Sequence, residues 1–378
     1  MAKKNAKKGK RALLTILLVL LLVLLTAAGG AVYVVDHYLD KINKINPDDD
    51  YIIPPEDETF ETDDGAPDTP TSSAPAEGNT SSDAASGNAS SDPASGTSSG
   101  TVSGNPSSGT SSKPASSTAP AEPAVKFDDS KLIHILLVGQ DKNPGVTVRQ
   151  RSDSMILCSI NPETKEVSLI SFLRDLYVEI PGGYSNNRLN ATYAFGGFKL
   201  LNRTLTHNFG VHIDGNIEVD FSRFQKVIDA VGGVDIALTT AEARHLIGPT
   251  ATACTIHMDG VMALKYARIR IIDSDFNRTA RQRNVIMAVF NKIKSKSVPE
   301  LMQLAETILP MLSTDMSNTE LVSLMYQMAP MISGMKISNY SIPAKGTYYS
   351  TYIRGMAVLV PNLNKNRTLL RDKYLPLN

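Results

Sequence analysis

The sequence predicts an α/β protein: a three-layer α/β/α domain with a central mixed sheet, preceded by one transmembrane helix and a disordered linker. Three observations support this fold class. An uncharged apolar run lies near the N-terminus, a long Ser/Gly/Pro/Ala-rich stretch follows it, and strand-like and helix-like segments alternate from Phe127 onward. The predicted division is a basic cytoplasmic tail at 1–11, a membrane helix at 12–35, a flexible extracellular linker at 36–127 and one domain at 128–378.

The N-terminal run predicts a membrane anchor. Lysine and arginine crowd residues 1–11, and residues 12–35 carry no charge. At about 1.5 Å of rise per residue, this run spans roughly 36 Å as a helix, enough to cross the hydrocarbon core of a bilayer. A cleavable signal peptide is the alternative, because residues 26–31 are small, but its apolar region would be only about 7–15 residues long. Since basic flanks stay in the cytoplasm, we expect a single-pass protein of the cell membrane with an extracellular C-terminal domain.

Residues 65–123 are expected to be disordered. They contain no Leu, Ile, Met, Phe or Tyr and a single valine, Val102. Such a stretch cannot bury enough apolar surface to offset the entropy of ordering it. Random-coil scaling gives it a mean span of about 40–45 Å. Two interpretations stay open: a spacer that lifts the domain off the membrane, or a linker whose length has no function.

Hydrophobic periodicity predicts the elements of the domain. Strands are expected at 132–139, 154–160, 165–172 and from Val234. Helices are expected at 190–208, with an interruption at Gly196 and Gly197, and at 221–230, 259–266, 279–294, 299–312 and 318–328. We see no internal repeat and no second linker, which favours a single domain.

Several classes of function find no support in the sequence. The 38 basic and 38 acidic residues cancel, so no overall basic field indicates a nucleic-acid partner. There is no GxSxG nucleophile elbow, no HExxH motif and no phosphate loop ending in Gly-Lys-Ser/Thr. The six histidines show no metal-ligand spacing. Cys158 and Cys254 would lie in the exported part, where a disulfide is permitted but not required.

Arginine and aspartate recur together at the ends of predicted elements. They are Asp141 after the first strand, Arg151 and Asp153 before the second, Arg174 and Asp175 after the third, Arg268 and Arg270 after a helix, and Asp273 and Asp275 before a helix that carries Arg278, Arg281 and Gln282. One such pair alone is usually a surface ion pair worth under about 1 kcal/mol. Their repetition near the carboxyl ends of strands, where α/β sheets bind ligands, indicates more. Guanidinium groups bind phosphate oxygens bidentately, and Mg²⁺ takes one or two carboxylates together with phosphate oxygens, so the pattern predicts metal-assisted phosphate or pyrophosphate chemistry. On the last helix the spacing would let Arg278, Arg281 and Gln282 face one ligand.

Residues 132–296 resemble the LytR-CpsA-Psr (LCP) family of Gram-positive cell-envelope enzymes. The resemblance lies in the order and spacing of ILLVGQD at 135–141, RSDSM at 151–155, SFLRD at 171–175, LNATYAFGG at 189–197, VGGVD at 231–235, HMDG at 257–260, YARIR at 266–270 and DSDFNRTARQ at 273–282. It implies an LCP-like catalytic domain that transfers a glycopolymer, such as wall teichoic acid or capsular polysaccharide, from a polyprenyl-pyrophosphate carrier to a peptidoglycan hydroxyl, forming a phosphodiester. The implied partners are the lipid-linked glycan, peptidoglycan and membrane lipid.

The resemblance also implies roles for individual residues. Asp141 and Asp153 match the carboxylates near a divalent metal, Mg²⁺ or Mn²⁺. Arg174 is expected to stabilise charge during transfer. The resemblance leaves open which carboxylate takes the acceptor proton, and Asp153 is our choice. Two departures are Asn143, where many members have an arginine, and Leu173, where many have a proline. The residues that match those around the pyrophosphate are Arg151, Arg174, Arg268, Arg270, Arg278 and Gln282.

Other interpretations stay open at this point. The same metal and arginines could direct water, which would make the protein a polyprenyl-pyrophosphate hydrolase. It could also be a non-catalytic protein that binds lipid-linked glycans. A transcriptional regulator is disfavoured, because the anchor places the domain outside the cell and no helix-turn-helix pattern is visible. The apolar residues after 296 are expected either to pack into the core or to line a groove for the polyprenyl chain.

Overall fold

The computed structural model describes residues 37–46, 53–54, 128–140, 149–293, 296–328, 331 and 334–377. All of these residues belong to one unit of the chain, and a second unit, residues 64–121, lies outside the described ranges. Among the helices within these ranges, none is both long and apolar enough to cross a bilayer. The predicted membrane helix at 12–35 lies outside them.

A mixed β-sheet forms the centre of the domain, as predicted. The strands in chain order are β1 Asn43–Lys44, β2 Ile133–Gln140, β3 Ser152–Asn161, β4 Glu166–Phe172, β5 Tyr177–Val178, β6 Asn187–Arg188, β7 Gly215–Asp220, β8 Val234–Leu238, β9 Cys254–Met258, β10 Ser313–Thr314, β11 Lys336–Ile342, β12 Tyr348–Ile353 and β13 Met356–Pro361. Seven of them form the central sheet in the order β1-β10-β7-β2-β3-β4-β11. The contacts β1–β10, β7–β2 and β4–β11 are parallel, and β10–β7, β2–β3 and β3–β4 are antiparallel.

Helices cover both faces of this sheet. In chain order they are α1 Leu189–Phe209, α2 Phe221–Ala230, α3 Thr240–Leu246, α4 Gly260–Ala267, α5 Asp275–Ile293, α6 Val298–Ile308, α7 Asn318–Met328 and α8 Leu363–Leu369. Side chains alternate across a strand, so each face of β2 enters a different core. Ile135 and Leu137 pack into a core shared with α2 to α7, whereas Leu136 and Val138 pack into one shared with α1. The α/β/α layering follows from this alternation.

Helix α1 is interrupted where the sequence predicted. Gly196 and Gly197 both have non-helical backbone angles, and φ of Gly197 is 55°. A β-carbon at Gly196 would come within 2.7 Å of the β-carbon of Leu200. A positive φ and this close approach both require glycine.

The region after residue 296 packs into the core. Helices α6 and α7 contribute Leu304, Ile308, Leu321 and Leu324 to the core beneath α2 to α5. Of the two roles considered from the sequence, the structure shows this packing role. The last part of the domain adds elements that the sequence prediction missed: β11 on the sheet edge, the β12–β13 hairpin and α8.

Residues 37–46 belong to the domain, whereas the sequence prediction placed them in the linker. Tyr38, Leu39 and Ile42 are buried in the core that is shared with α2 to α7. Directly after them, β1 pairs with β10 at the edge of the sheet. The low-complexity stretch is therefore an insertion between two segments of one unit in the chain order.

Both cysteines are free thiols. Cys158 is fully buried in β3, and burial raises the pKa of its thiol to about 12. Cys254 is exposed at the start of β9. No disulfide joins them.

Candidate active site

Asp153 and Arg174 meet at one edge of the sheet, where β4 ends and β3 begins. Arg174 Nη1 donates to Asp153 Oδ1 at 3.2 Å. The backbone around Arg174 is held from two sides: Leu173 N donates to Ile342 O at 2.8 Å, and Asn190 N donates to Arg174 O at 3.2 Å. The first of these bonds needs the amide hydrogen of Leu173, which a proline would lack. The departure at Leu173 therefore adds a tie between this loop and β11.

Two further arginines approach the same carboxylate. Arg270 Nη2 lies 3.4 Å from Asp153 Oδ1, and Arg278 Nη1 lies 3.8 Å from it. The side chain of Arg278 is 3% exposed and that of Arg270 is 48% exposed. Three guanidinium groups from two distant parts of the chain thus surround one aspartate, and Arg270 is the one most open to a ligand.

Carboxylates also surround Arg174. Its Nε lies 3.4 Å from Asp175 Oδ2 and 3.9 Å from Asp275 Oδ1. Asp275 also pairs with Arg278 at 2.7 Å, and Asp175 lies 3.8 Å from Arg188 Nε. We call these seven residues the charged cluster: Asp153, Arg174, Asp175, Arg188, Arg270, Asp275 and Arg278. Four arginines and three aspartates leave it with an excess of one positive charge, which suits an anionic ligand.

Burial and neighbouring charge shift the pKa values of this cluster in opposite directions. Burial lowers the pKa of Arg174, but its three aspartate neighbours more than offset this, so its pKa is raised. The pKa of Arg270 is lowered by burial and by the like charges of Arg174 and Arg278. Burial raises the pKa of Asp175 despite the adjacent Arg174. The crowding of positive charge at Arg270 would be relieved by an anion.

An apolar cavity of about 660 Å³, including its open mouth, lies on the side of the sheet that packs against α2, α4 and α5. Its walls come from β2, β3, β7, α2, α4 and α5, and Arg268 and Gln282 are the charged or amide side chains among its lining residues. The Arg268 guanidinium lies 4.7 Å from the ring centre of Phe221. Gln282 Oε1 is buried and accepts no hydrogen bond from the described residues. On α5, Gln282 lies one turn beyond Arg278, so the cavity adjoins the charged cluster.

Arg268 and Arg270 both follow the end of α4, but they lie in different parts of the site. Ala267 is the last residue of α4, and Arg268 caps it. Arg268 lines the cavity, whereas Arg270 reaches Asp153. The two arginines therefore serve two neighbouring parts of the site.

The polar residues of α5 have two different roles: some lie in the site, and one binds neighbouring elements of the fold. Arg278 contacts Asp153, whereas Gln282 lines the cavity. Arg281 does not join them, contrary to the expected common face. It is buried and donates to Glu242 Oε1 at 2.7 Å, to Ile269 O at 3.0 Å and to Asp273. This arginine ties α5 to α3 and to the loop after α4.

The two remaining predicted residues are Arg151 and Asp141. Arg151 is half-buried directly before β3, two residues from Asp153. Asp141 lies outside the described residues. Arg188, Asp175 and Asp275 complete the charged cluster without having been predicted as site residues. Asp175 and Asp275 stood in the Arg/Asp pattern, but Arg188 had no signal beyond its position just before the 189–197 motif.

The described residues supply only part of the ligands that a metal ion would need. Within the described ranges, no group of three or more His, Cys, Asp or Glu residues could hold a metal ion. Asp153 offers hard carboxylate oxygens beside arginines that suit phosphate, and Mg²⁺ commonly takes one or two carboxylates and completes its shell with phosphate oxygens. The described residues thus fit a metal that is bound together with its substrate.

The profile of the LytR_cpsA_psr family matches residues 98–372. The chain belongs to the LytR_cpsA_psr family. The match covers β2 to β13 and includes every residue of the charged cluster. The resemblance found in the sequence is confirmed.

Individual relatives agree with this membership. The chain is 32% identical over 197 residues to the polyisoprenyl-teichoic acid–peptidoglycan teichoic acid transferase TagU of Enterococcus faecalis, covering 51% of this chain and 64% of the relative. It is 33% identical over 235 residues to TagU of Oceanobacillus iheyensis, covering 59% and 72%. The crystal structure of Bacillus subtilis TagV superposes with a TM-score of 0.52 at 27% identity, covering 64% of this chain and 96% of TagV. The chain thus spans less than two thirds of the Enterococcus relative, while the fold extends over nearly all of TagV.

Proposed function

We propose that this protein transfers a glycopolymer, such as wall teichoic acid or a capsular polysaccharide, from a polyprenyl-pyrophosphate carrier to a hydroxyl of peptidoglycan. The observation that carries the proposal is the apolar cavity that adjoins the arginines around Asp153. A polyprenyl pyrophosphate has the same two parts, an apolar chain and a strongly anionic head. The names of the TagU relatives, which are teichoic acid transferases, support the same pair of substrates.

In the proposed reaction, the acceptor oxygen attacks the phosphorus atom that carries the glycan. A bond forms between that oxygen and phosphorus, the bond to the bridging oxygen breaks, and polyprenyl monophosphate leaves. Arg174, Arg270 and Arg278 stabilise the charge that grows on the phosphate oxygens. The hydroxyl proton passes to a carboxylate, and Asp153 and Asp175 both contact Arg174 at this point.

A divalent cation, Mg²⁺ or Mn²⁺, is part of the proposal. Asp141 and Asp153 would hold it, and phosphate oxygens of the donor would complete its shell. When bound, it would neutralise charge on the pyrophosphate.

The proposal also places the protein in the cell membrane of a Gram-positive-type envelope, with its N-terminus in the cytoplasm. Tyr38, Leu39 and Ile42 directly follow the predicted membrane helix at 12–35 and are buried in the domain. A domain held so near the helix would lie beside a membrane-borne donor.

The test uses the full-length protein in detergent with a polyprenyl-pyrophosphate-linked glycan, Mg²⁺ or Mn²⁺ and peptidoglycan fragments. We expect a glycan–phosphate–peptidoglycan product and polyprenyl monophosphate, both lost in Arg174→Ala. Arg371→Ala is the matched control, because Arg371 is 54% exposed and pairs only with its neighbour Asp372 among the contacts described for it. Release of lipid phosphate without any glycan on the acceptor would instead identify a hydrolase. Binding without turnover would identify a glycan-binding protein.

A second experiment tests the cavity as the lipid site. Ala267→Phe places a ring in the cavity wall, whereas Val261→Phe adds the same ring on α4 at a position that is 49% exposed. We expect Ala267→Phe to weaken binding of a polyprenyl phosphate in micelles and Val261→Phe to leave it unchanged. Thermal unfolding of both variants checks that they are folded. Equal binding by both would place the lipid elsewhere.

A further inference from the structure

The β12–β13 hairpin borders the charged cluster. Leu359 N donates to Asp175 O at 2.9 Å, and Arg188 Nε donates to Ala357 O at 3.0 Å. Both contacts are made by β13, the inner strand. The outer strand, β12, therefore flanks the site without contributing to the cluster itself.

Strand β12 carries three tyrosines on two faces. Tyr348 stacks on Phe276, the second residue of α5, with ring centres 5.3 Å apart. Tyr352 lies four residues along the same strand and is 59% exposed, whereas Tyr349 is 63% exposed. Because side chains alternate in a strand, Tyr348 and Tyr352 share one face and Tyr349 lies on the other. Tyr352 stands opposite Ala357, the residue whose carbonyl binds Arg188.

Exposed rings beside a polar site suit a sugar. The C–H groups on one face of a pyranose ring form a weakly apolar surface that packs on the negative face of an aromatic ring, while the phenol hydroxyl hydrogen-bonds to sugar hydroxyls. Tyr348 and Tyr352 lie about 13 Å apart along the strand at about 3.3 Å per residue, a span that more than one sugar ring would cover. We propose that Tyr348 and Tyr352 form the subsite that binds the peptidoglycan sugars next to the acceptor hydroxyl.

The order of groups along α5 favours the acceptor over the donor glycan. Gln282 lies on the cavity, Arg278 in the charged cluster, and Phe276 beneath Tyr348. Six residues of helix separate Gln282 from Phe276, which is about 9 Å. In phosphoryl transfer the attacking and leaving oxygens lie roughly in line on opposite sides of the phosphorus. If the lipid leaves toward the cavity, the hydroxyl enters from the side of the hairpin.

This inference rests on the proposed function, but its test does not require turnover. Lipid-free disaccharide-peptide fragments of peptidoglycan are titrated into the full-length protein by calorimetry. Loss of one stacked ring in Tyr352→Ala should weaken binding about tenfold. Tyr352→Phe should retain most of it. Tyr349→Ala is the matched control, since that ring is equally exposed on the opposite face of the same strand.

Three binding results would overturn the subsite: no binding by the unaltered protein, equal losses in Tyr349→Ala and Tyr352→Ala, or a loss in Tyr352→Ala confined to a lipid-free glycopolymer fragment titrated in parallel. In the transfer assay, Tyr352→Ala should raise KM for the peptidoglycan fragment and leave KM for the donor unchanged. Normal transfer by Tyr352→Ala at every acceptor concentration would remove the subsite alone. Absence of transfer by the unaltered protein would remove the proposed function, whatever the binding data show.

Discussion

Arg174 and Asp153, 21 positions apart in the chain, share a hydrogen bond of 3.2 Å between Nη1 and Oδ1. The same guanidinium also faces Asp175 and Asp275 through its Nε. A planar fork can face three carboxylates at once, which a lysine ammonium on a flexible stem cannot reproduce. The contact therefore makes arginine, and not just a positive charge, the requirement at this position.

Arg174→Lys should consequently lower kcat for transfer by about 10²–10³, the usual effect of removing one donor that stabilises developing charge. The protein should remain folded, because the positive charge among the three aspartates is retained. Arg371→Lys, at an exposed position, serves as the control. Steady-state kinetics with the donor and acceptor, accompanied by circular dichroism, measure both effects. Activity close to normal in Arg174→Lys would contradict the role assigned to the fork.

Inorganic pyrophosphate should raise the melting temperature of the unaltered protein. Burial and the like charges of Arg174 and Arg278 lower the pKa of Arg270, and its side chain is 48% exposed, so an anion gains from binding there. Ligand at 100 times its Kd stabilises a protein by about 2.7 kcal/mol. Arg270→Gln should melt at the same or a higher temperature without the anion, since like-charge repulsion is removed, but should lose most of the anion-induced shift. An unchanged shift in this variant would place the anion away from Arg270.

Leu39→Ala should destabilise the protein by about 2–5 kcal/mol, because Leu39 is fully buried although it lies far from the rest of the domain in the chain. Deletion of residues 66–121 should act in the opposite direction. It shortens the chain between two packed segments, and the lower cost of loop closure stabilises the fold by about 1 kcal/mol. Urea denaturation of the two variants tests both. A harmless Leu39→Ala would show that residues 37–46 do not contribute to the stability of the domain.

Asp175 should make folding stability depend on pH in an unusual direction for an aspartate. Burial raises its folded pKa above the unfolded value of about 3.9. The contribution of Asp175 to the free energy of unfolding is therefore fully present below about pH 3.9, and it is lost as pH rises through the folded pKa. Asp175→Asn lacks this titration, so its stability relative to the unaltered protein should rise with pH across that window. Urea denaturation of both proteins between pH 4 and pH 7 measures the difference, and a constant or falling difference would contradict it.

Local patterns were enough to predict much of the fold. The runs at 132–139 and 165–172 carry apolar residues on both faces of the strand, and both are strands of the central sheet. The interruption at Gly196 and Gly197 was visible because two adjacent glycines break helical periodicity. In contrast, β7 has the sequence Gly-Asn-Ile-Glu-Val-Asp, in which only two residues are apolar. Its position beside β2 depends on pairing across the sheet, which no local pattern reports.

The candidate site shows the same division. Arg278 and Gln282 share a helical face, so their common direction toward the site could be predicted from spacing. Arg281 fits that spacing equally well, but Glu242 on α3 and Asp273 bind it on the other side. Arg188 became part of the site only because β6 lies beside the loop that carries Asp175. Whether one of several equally spaced arginines joins the site depends on its ion-pair partners, and those partners come from elsewhere in the chain.

The sequence by itself determined which residues carry the charges, where many of the strands and helices of the domain run, and the family to which the chain belongs. Periodicity and motif order are properties of the sequence, and they can be recognised without knowledge of the fold. Only the tertiary structure brought Arg270 to Asp153 and left Arg268 in the cavity wall. It also placed residues 37–46 in the core and the tyrosines of β12 beside the cluster. Those outcomes depend on which apolar faces pack together across long stretches of chain, and on the buried ion pairs that this packing allows.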